Sequence, residues 1–287
     1  MKNNSPFATA DLSLNWTSSD IEQRFGFSGG KFTTVNNLFT LFMALFLSGT
    51  YYAVIVFGLR GLPQAKTFCD MFLERGIPTY FIVFFFAWSL SIMFTKWIKL
   101  KEQRKALAIK PVPIDPDFVL NRETAKEVLL RLRSIVDDTR HYVLLNRVDR
   151  ALSNLQNIGR IGDVSEILRT QAEYDENQFS SSYTMVSGFL WATPVFGFVG
   201  TVLGLSVAVR GFGGTLQGAS DIGALKGALT TVTGGLGIAF ETTLVALVCA
   251  LATQLLLSTM QLRESEFLDE CNDYCHANII SKLKLSE

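Results

Sequence analysis

The chain has 287 residues, and its 26 basic and 26 acidic side chains give a formal net charge of zero, so no global basic field exists to draw nucleic acid. Hydrophobic residues make up 48%, charged residues only 18%, and mean hydropathy is positive. The apolar and charged residues lie in separate blocks, as a bilayer demands and a soluble helix with one wet face does not.

Residues 1–31 are polar and lack the short apolar core and small-residue cleavage site of a cleavable signal, so they read as an N-terminal segment. A spanning helix needs about 20 mostly apolar residues. Residues 32–59 carry no charge and read as span one, and 77–95 (including the run Phe81–Phe86) as span two. The loop between them holds Arg60, Lys66 and Arg75 against Asp70 and Glu74. After span two come Lys96, Lys99, Lys101, Arg104, Lys105 and Lys110, opposed only by Glu102. Basic flanks favour the cytoplasm, so the 96–110 side is predicted to be cytoplasmic, and with four spans both termini are too.

Residues 96–176 read as a polar, cytoplasmic helical insert. Pro111, Pro113 and Pro116 open it as an extended linker. From Arg122 the spacing of Val128, Leu129, Leu132, Ile135 and Val136 predicts a helix, and a second runs from Val143 to Leu155. Gly159 and Gly162 break the pattern, and Asp163 is a candidate cap for a further helix through Glu176. These helices are expected to pack on a tail helix within 263–287. Residues 177–210 form span three, and 227–262 span four, interrupted only by Glu241. The predicted fold is an all-α membrane protein with four transmembrane helices and helical extensions.

The four cysteines, Cys69, Cys249, Cys271 and Cys275, are too scattered for a disulfide framework. Cys271, Cys275 and His276 form at most a partial metal set, and free thiols on a tail helix are the simpler reading; no metal and no cofactor is expected. His141 is the only other histidine, and no HExxH, P-loop or nucleophile elbow is present, so no enzyme is predicted.

Chemistry gathers in spans three and four. Gly197, Thr201, Gly204 and Ala208 recur at steps of four, three and four and share one helix face. Ala239, Thr243, Ala246, Ala250 and Thr253 repeat the arrangement. Small faces admit close helix approach, and the hydroxyls are the polar groups on them. The same spacing also suits a plain packing seam whose threonines bond their own backbone. Arg210 lies nine residues beyond Thr201, about 14 Å along a helix and close to half of a ~30 Å hydrocarbon core, which predicts Thr201 near mid-membrane.

Gly197-Phe-Val-Gly200-Thr201-Val-Leu-Gly204-Leu205, led by Thr193-Pro194, resembles the third-helix signature of the MotA/TolQ/ExbB proton-channel family. Leu236-Gly-Ile-Ala239-Phe-Glu241-Thr-Thr243-Leu-Val-Ala246-Leu247 resembles its fourth-helix motif, and the four-span layout with a large insert resembles the MotA branch. The resemblance implies a homopentameric ring around a dimer of single-span subunits of MotB/TolR/ExbD type, in a bacterial inner membrane. Thr201 and Thr243 would then line the pore, facing a membrane aspartate on the partner, with Pro194, Gly197, Gly200, Gly204, Ala239 and Ala246 shaping it. The transported ion would be a proton or Na+. Motility, outer-membrane energisation, gliding and phage defence are all loads such a motor drives.

One departure stands out. The glutamate of ExbB-type members, five residues before the second threonine, is Ile238 here, whereas Glu241 stands two residues before Thr243. An ionisable group within a span is costly, so Glu241 is either in the ion path or held by a structural partner. Two residues is about 200° on a helix, so Glu241 faces away from Thr243. Rival readings are a stand-alone ion channel or transporter with Glu241 as its site, and a non-conducting membrane scaffold.

Overall fold

The computed structural model describes residues 14–113, 118–157, 161–216 and 222–283. Among these the chain is helical, with no strand and two isolated bridges, Leu14–Val136 and Leu120–Leu283. In chain order the helices are α1 (Trp16–Ser19), α2 (Ile21–Arg24), α3 (Asn37–Ala53), α4 (Lys66–Leu73), α5 (Ile77–Ala108), α6 (Arg122–Ile135), α7 (Val143–Asn157), α8 (Ile161–Ser181), α9 (Thr184–Leu216) and α10 (Ile222–Asn278). A π-helical turn, Val54–Leu59, continues α3. Four stretches are long and apolar enough to cross a membrane: Asn37–Leu59, Ile77–Ala108, Asp163–Gly213 and Lys226–Lys282. The chain is a multi-pass membrane protein.

Element ends follow local chemistry. The helix of span one opens at Asn37, not at Phe32, because Asn36 Oδ1 accepts the Leu38 and Phe39 N–H groups at 2.9 and 3.4 Å. Phe32 before it has φ 55° and a buried ring. Asn121 and Thr124 make a capping box that starts α6 at Arg122, where the periodicity puts it. Asp163 lies in the first turn of α8 and does not cap it, and α8 runs on to Ser181. A turn at Ser182–Tyr183 ends α8, so the apolar helix of span three opens at Thr184. Span four and the tail form one unbroken helix. Pro116, Gly159 and the first 13 residues of the N-terminal segment lie outside the described residues.

The chain divides into two compact units. One comprises Thr40–Met93 and Thr184–Ser258. Its aromatic layer sets Phe85 and Trp88 of α5 on Phe189 of α9, with centroids 5.2 and 4.7 Å apart, and Phe81 on Phe196 at 4.9 Å. Trp88 Nε1 donates to Thr40 Oγ1 at 3.1 Å. Ile55, Cys69, Phe72, Ile82, Val83, Val245 and Ala246 form a further core. Large apolar side chains cover the outside, with Phe57 89% and Trp191 74% exposed, a surface suited to lipid or neighbouring chains.

The other unit comprises Met1–Phe39, Phe94–Tyr183 and Thr259–Glu287. Its buried residues include Val128, Leu132, Leu144, Val148, Leu152 and Leu155 of α6 and α7, with Phe267 and Cys271 of α10. The insert helices do pack on the tail. Arg147 Nη1 donates to Asn272 Oδ1 at 2.5 Å, and Tyr274 Oη accepts from the Val112 N–H at 3.0 Å. Buried ion pairs cross it, among them Lys96–Glu264 at 3.1 Å, Lys99–Glu22 at 2.6 Å and Arg147–Asp175 at 2.7 Å. Glu22 also accepts the Gly30 and Asn36 N–H groups, and Trp16 stacks on His141 with centroids 5.4 Å apart. Cys271 and Cys275 are free and buried, and burial pushes the Cys275 thiol up to about 12 and that of Cys271 higher still.

Candidate ion-handling site

In α9 the buried positions Thr193, Gly197, Gly200, Gly204 and Ala208 trace one stripe. In α10 the matching stripe is Gly235, Ala239, Thr242, Ala246 and Ala250. The two meet antiparallel. A Cβ placed on Gly197 would stand 2.5 Å from the Ala246 Cβ, one on Gly200 would overlap the Thr242 methyl, and one on Gly204 would stand 2.8 Å from the Gly235 carbonyl oxygen. One on Gly211 would reach the Thr231 methyl at 2.5 Å. Glycine is needed at these positions because backbone meets backbone.

Pro194 sits inside α9, where it removes one helical N–H. Beside it, Thr193 Oγ1 donates to the Phe189 carbonyl at 2.8 Å. One residue beyond Gly200 the seam acquires its polar centre. Thr201 and Thr243 are both half-buried, and their hydroxyls hydrogen-bond each other directly. Thr201 Oγ1 is also 3.3 Å from the Gly197 and Ala239 carbonyl oxygens, and Thr243 Oγ1 is 3.1 and 3.2 Å from the same two. Two hydroxyls bring two protons. One bridges the threonines and the other goes to a carbonyl, which leaves oxygen lone pairs able to take a cation or a proton donor. The structure joins the two threonines into one group at the edge of the buried stripes, with Thr242, not Thr243, in the stripe of α10.

Glu241 lies on another side of α10. Its Oε2 accepts from Arg75 Nε at 2.6 Å, with side chains 29% and 21% exposed respectively. Arg75 stands in the turn between α4 and α5, which reverses at Gly76 with φ 84°, a conformation glycine adopts freely. Sequence reasoning allowed Glu241 a structural partner but did not identify Arg75 as that partner. The one available signal was a pair of opposite charges at a span edge and within a span.

The pair also bears on depth. Arg75 precedes span two by two residues, and Phe196 packs level with Phe81 and Phe85. Thr201 lies five residues further along α9, about 7.5 Å. The threonines therefore stand level with the Arg75 end of span two, not with its middle. Arg210, the marker for the mid-membrane expectation, bonds Ser206 of its own helix at 2.7 Å and does not mark the end of span two.

No group of three or more His, Cys, Asp or Glu able to hold a metal occurs among the described residues. Neither the curated proteins nor the solved structures compared with this chain give a match. A family model does match, over 140–272, a range that runs from the insert through Thr201, Glu241 and Thr243. Residues 140–272 of this chain, with the glycine seam and its paired hydroxyls, match the MotA/TolQ/ExbB proton channel family.

Proposed function

We propose that the chain is the ion-conducting ring subunit of a membrane rotary motor, working with a single-span partner of MotB/TolR/ExbD type. The observation that carries the reading is the hydroxyl pair Thr201–Thr243, set in a seam otherwise built of small residues. A hydroxyl can relay a proton or coordinate Na+, but it does not hold a proton as a charge at neutral pH. A protonatable carrier has to be supplied from outside the seam, and a membrane aspartate on the partner meets that need. Five copies of the chain would surround two partner helices in a bacterial inner membrane, with both termini cytoplasmic. Each ion crossing is worth about 2.3 kcal/mol per 100 mV. As partner aspartates alternate between neutral and ionised beside successive threonine pairs, the five-to-two mismatch would turn ion steps into rotation.

A second reading has its own support. The threonine hydroxyls bond carbonyl oxygens at 3.1–3.3 Å, as they would in a packing seam of a non-conducting scaffold. Replacing Thr201 and Thr243 together by Val separates the two. Loss of partner-dependent ion uptake into proteoliposomes, with assembly intact, is expected. Unchanged uptake would leave the scaffold.

A further inference from the structure

The ion pair Arg75–Glu241 joins the α4–α5 turn to the helix that carries Thr243. Three consecutive residues of α10 meet three different partners. Glu241 takes Arg75, Thr242 fills the space left by Gly200, and Thr243 bonds Thr201. Side chains advance about 100° per residue, so these contacts together define how far α10 is turned about its own axis. Small-residue stripes have shallow ridges and by themselves resist such turning weakly. A charge-assisted bond of 2.6 Å between half-buried groups resists it more strongly.

We propose that Arg75 is a positioning residue: its bond to Glu241 locks the rotation of α10, keeps the Thr243 hydroxyl on Thr201, and holds the Glu241 carboxylate away from the threonine pair. The functional weight of this lock rests on the reading of that pair as the ion-handling group. A rotation of about 20° would carry a hydroxyl about 1 Å along its arc, given the ~2.3 Å radius of the Cα cylinder and the side chain beyond it. That is enough to break a hydrogen bond. Arg75 thus acts through another residue, and it is drawn from the loop between spans one and two.

The test uses the full chain in membranes, with Cys69, Cys249, Cys271 and Cys275 replaced by Ala and with Thr201→Cys and Thr243→Cys introduced as a reporter. Under mild oxidation the two new thiols should form a disulfide, read by mass spectrometry of the joined peptides. Arg75→Gln or Glu241→Gln should slow its formation at least severalfold and up to about a hundredfold, the loss that a ~1 Å displacement of reacting atoms can cause. The exchanged pair Arg75→Glu with Glu241→Arg should restore the rate, which a merely bulky or stabilising role would not do. Equal rates in all variants would overturn the proposal. Should Arg75→Gln be degraded, Arg75→Lys keeps the charge without the planar fork, and here too a slowed rate supports the lock and an unchanged rate removes it. Cross-linking needs no ion flow. Uptake retained after threonine replacement would therefore remove the ion-handling reading alone, and uniform cross-linking would remove the lock alone.

Discussion

Substituting the seam glycines should rank them by what stands opposite. At Gly204 the obstruction is the Gly235 carbonyl, which cannot swing aside, whereas at Gly197 it is the Ala246 methyl. Gly204→Ala is expected to lower stability by about 1–3 kcal/mol, as overpacked sites do, and more than Gly197→Ala, measured by unfolding in detergent. A second expectation concerns the thiols. Cys271 and Cys275 are buried, with the Cys275 thiol pushed up to about 12, so almost no thiolate exists near neutral pH. Maleimide should label both slowly in the native protein and rapidly after unfolding. The spacing makes the small-residue surroundings of Thr201 and Thr243 legible, but not that Thr242, rather than Thr243, lies in the buried stripe of α10. Arg75 is not legible as the partner of Glu241, because the two are 166 positions apart and only the turn at Gly76 aims one at the other.

Elements were legible where hydropathy dominates and less so at their ends. Spans two and four follow from long apolar runs, the latter broken only by Glu241. Span one starts five residues late, because a polar side chain, Asn36, captures the first free N–H groups while leaving the apolar run intact. The break before α9 is equally silent in hydropathy. Ser182 Oγ donates to the Phe179 carbonyl at 2.6 Å and accepts from Lys96 Nζ at 2.8 Å. Lys96 is wholly buried, pairs with Glu264, and lies 4.2 Å from the Tyr183 ring centre. This cluster clips the end of α5 in its unit to α10. Lys96→Met should cost about 3–5 kcal/mol by stranding Glu264, and Lys96→Met with Glu264→Leu should recover much of that loss, read as the midpoint of denaturant unfolding.

For the molecule as a whole, the positive flank after span two is built into a folded unit. Lys96 and Lys99 are buried, Arg104 reaches Glu270 at 3.5 Å, and Lys101 lies 3.6 Å from the Trp97 ring centre. The charges from which an orientation is predicted are thus also bonds of the folded unit, which composition cannot reveal. Lys99 and Glu22 bind the N-terminal segment to this unit, and two backbone N–H groups complete the carboxylate's shell. Glu22→Gln should release the segment, seen as faster cleavage between residues 20 and 36 in limited proteolysis, with the far-UV signal of the long helices unchanged. In the α9–α10 hairpin, methyls and carbonyls touch wherever one extra carbon would not fit. A rod pair zipped this tightly leaves no bore between its two helices. On the proposed reading the walls of a conduit would be shared among several polypeptides, and vesicles holding the chain without its partner should stay as ion-tight as plain lipid.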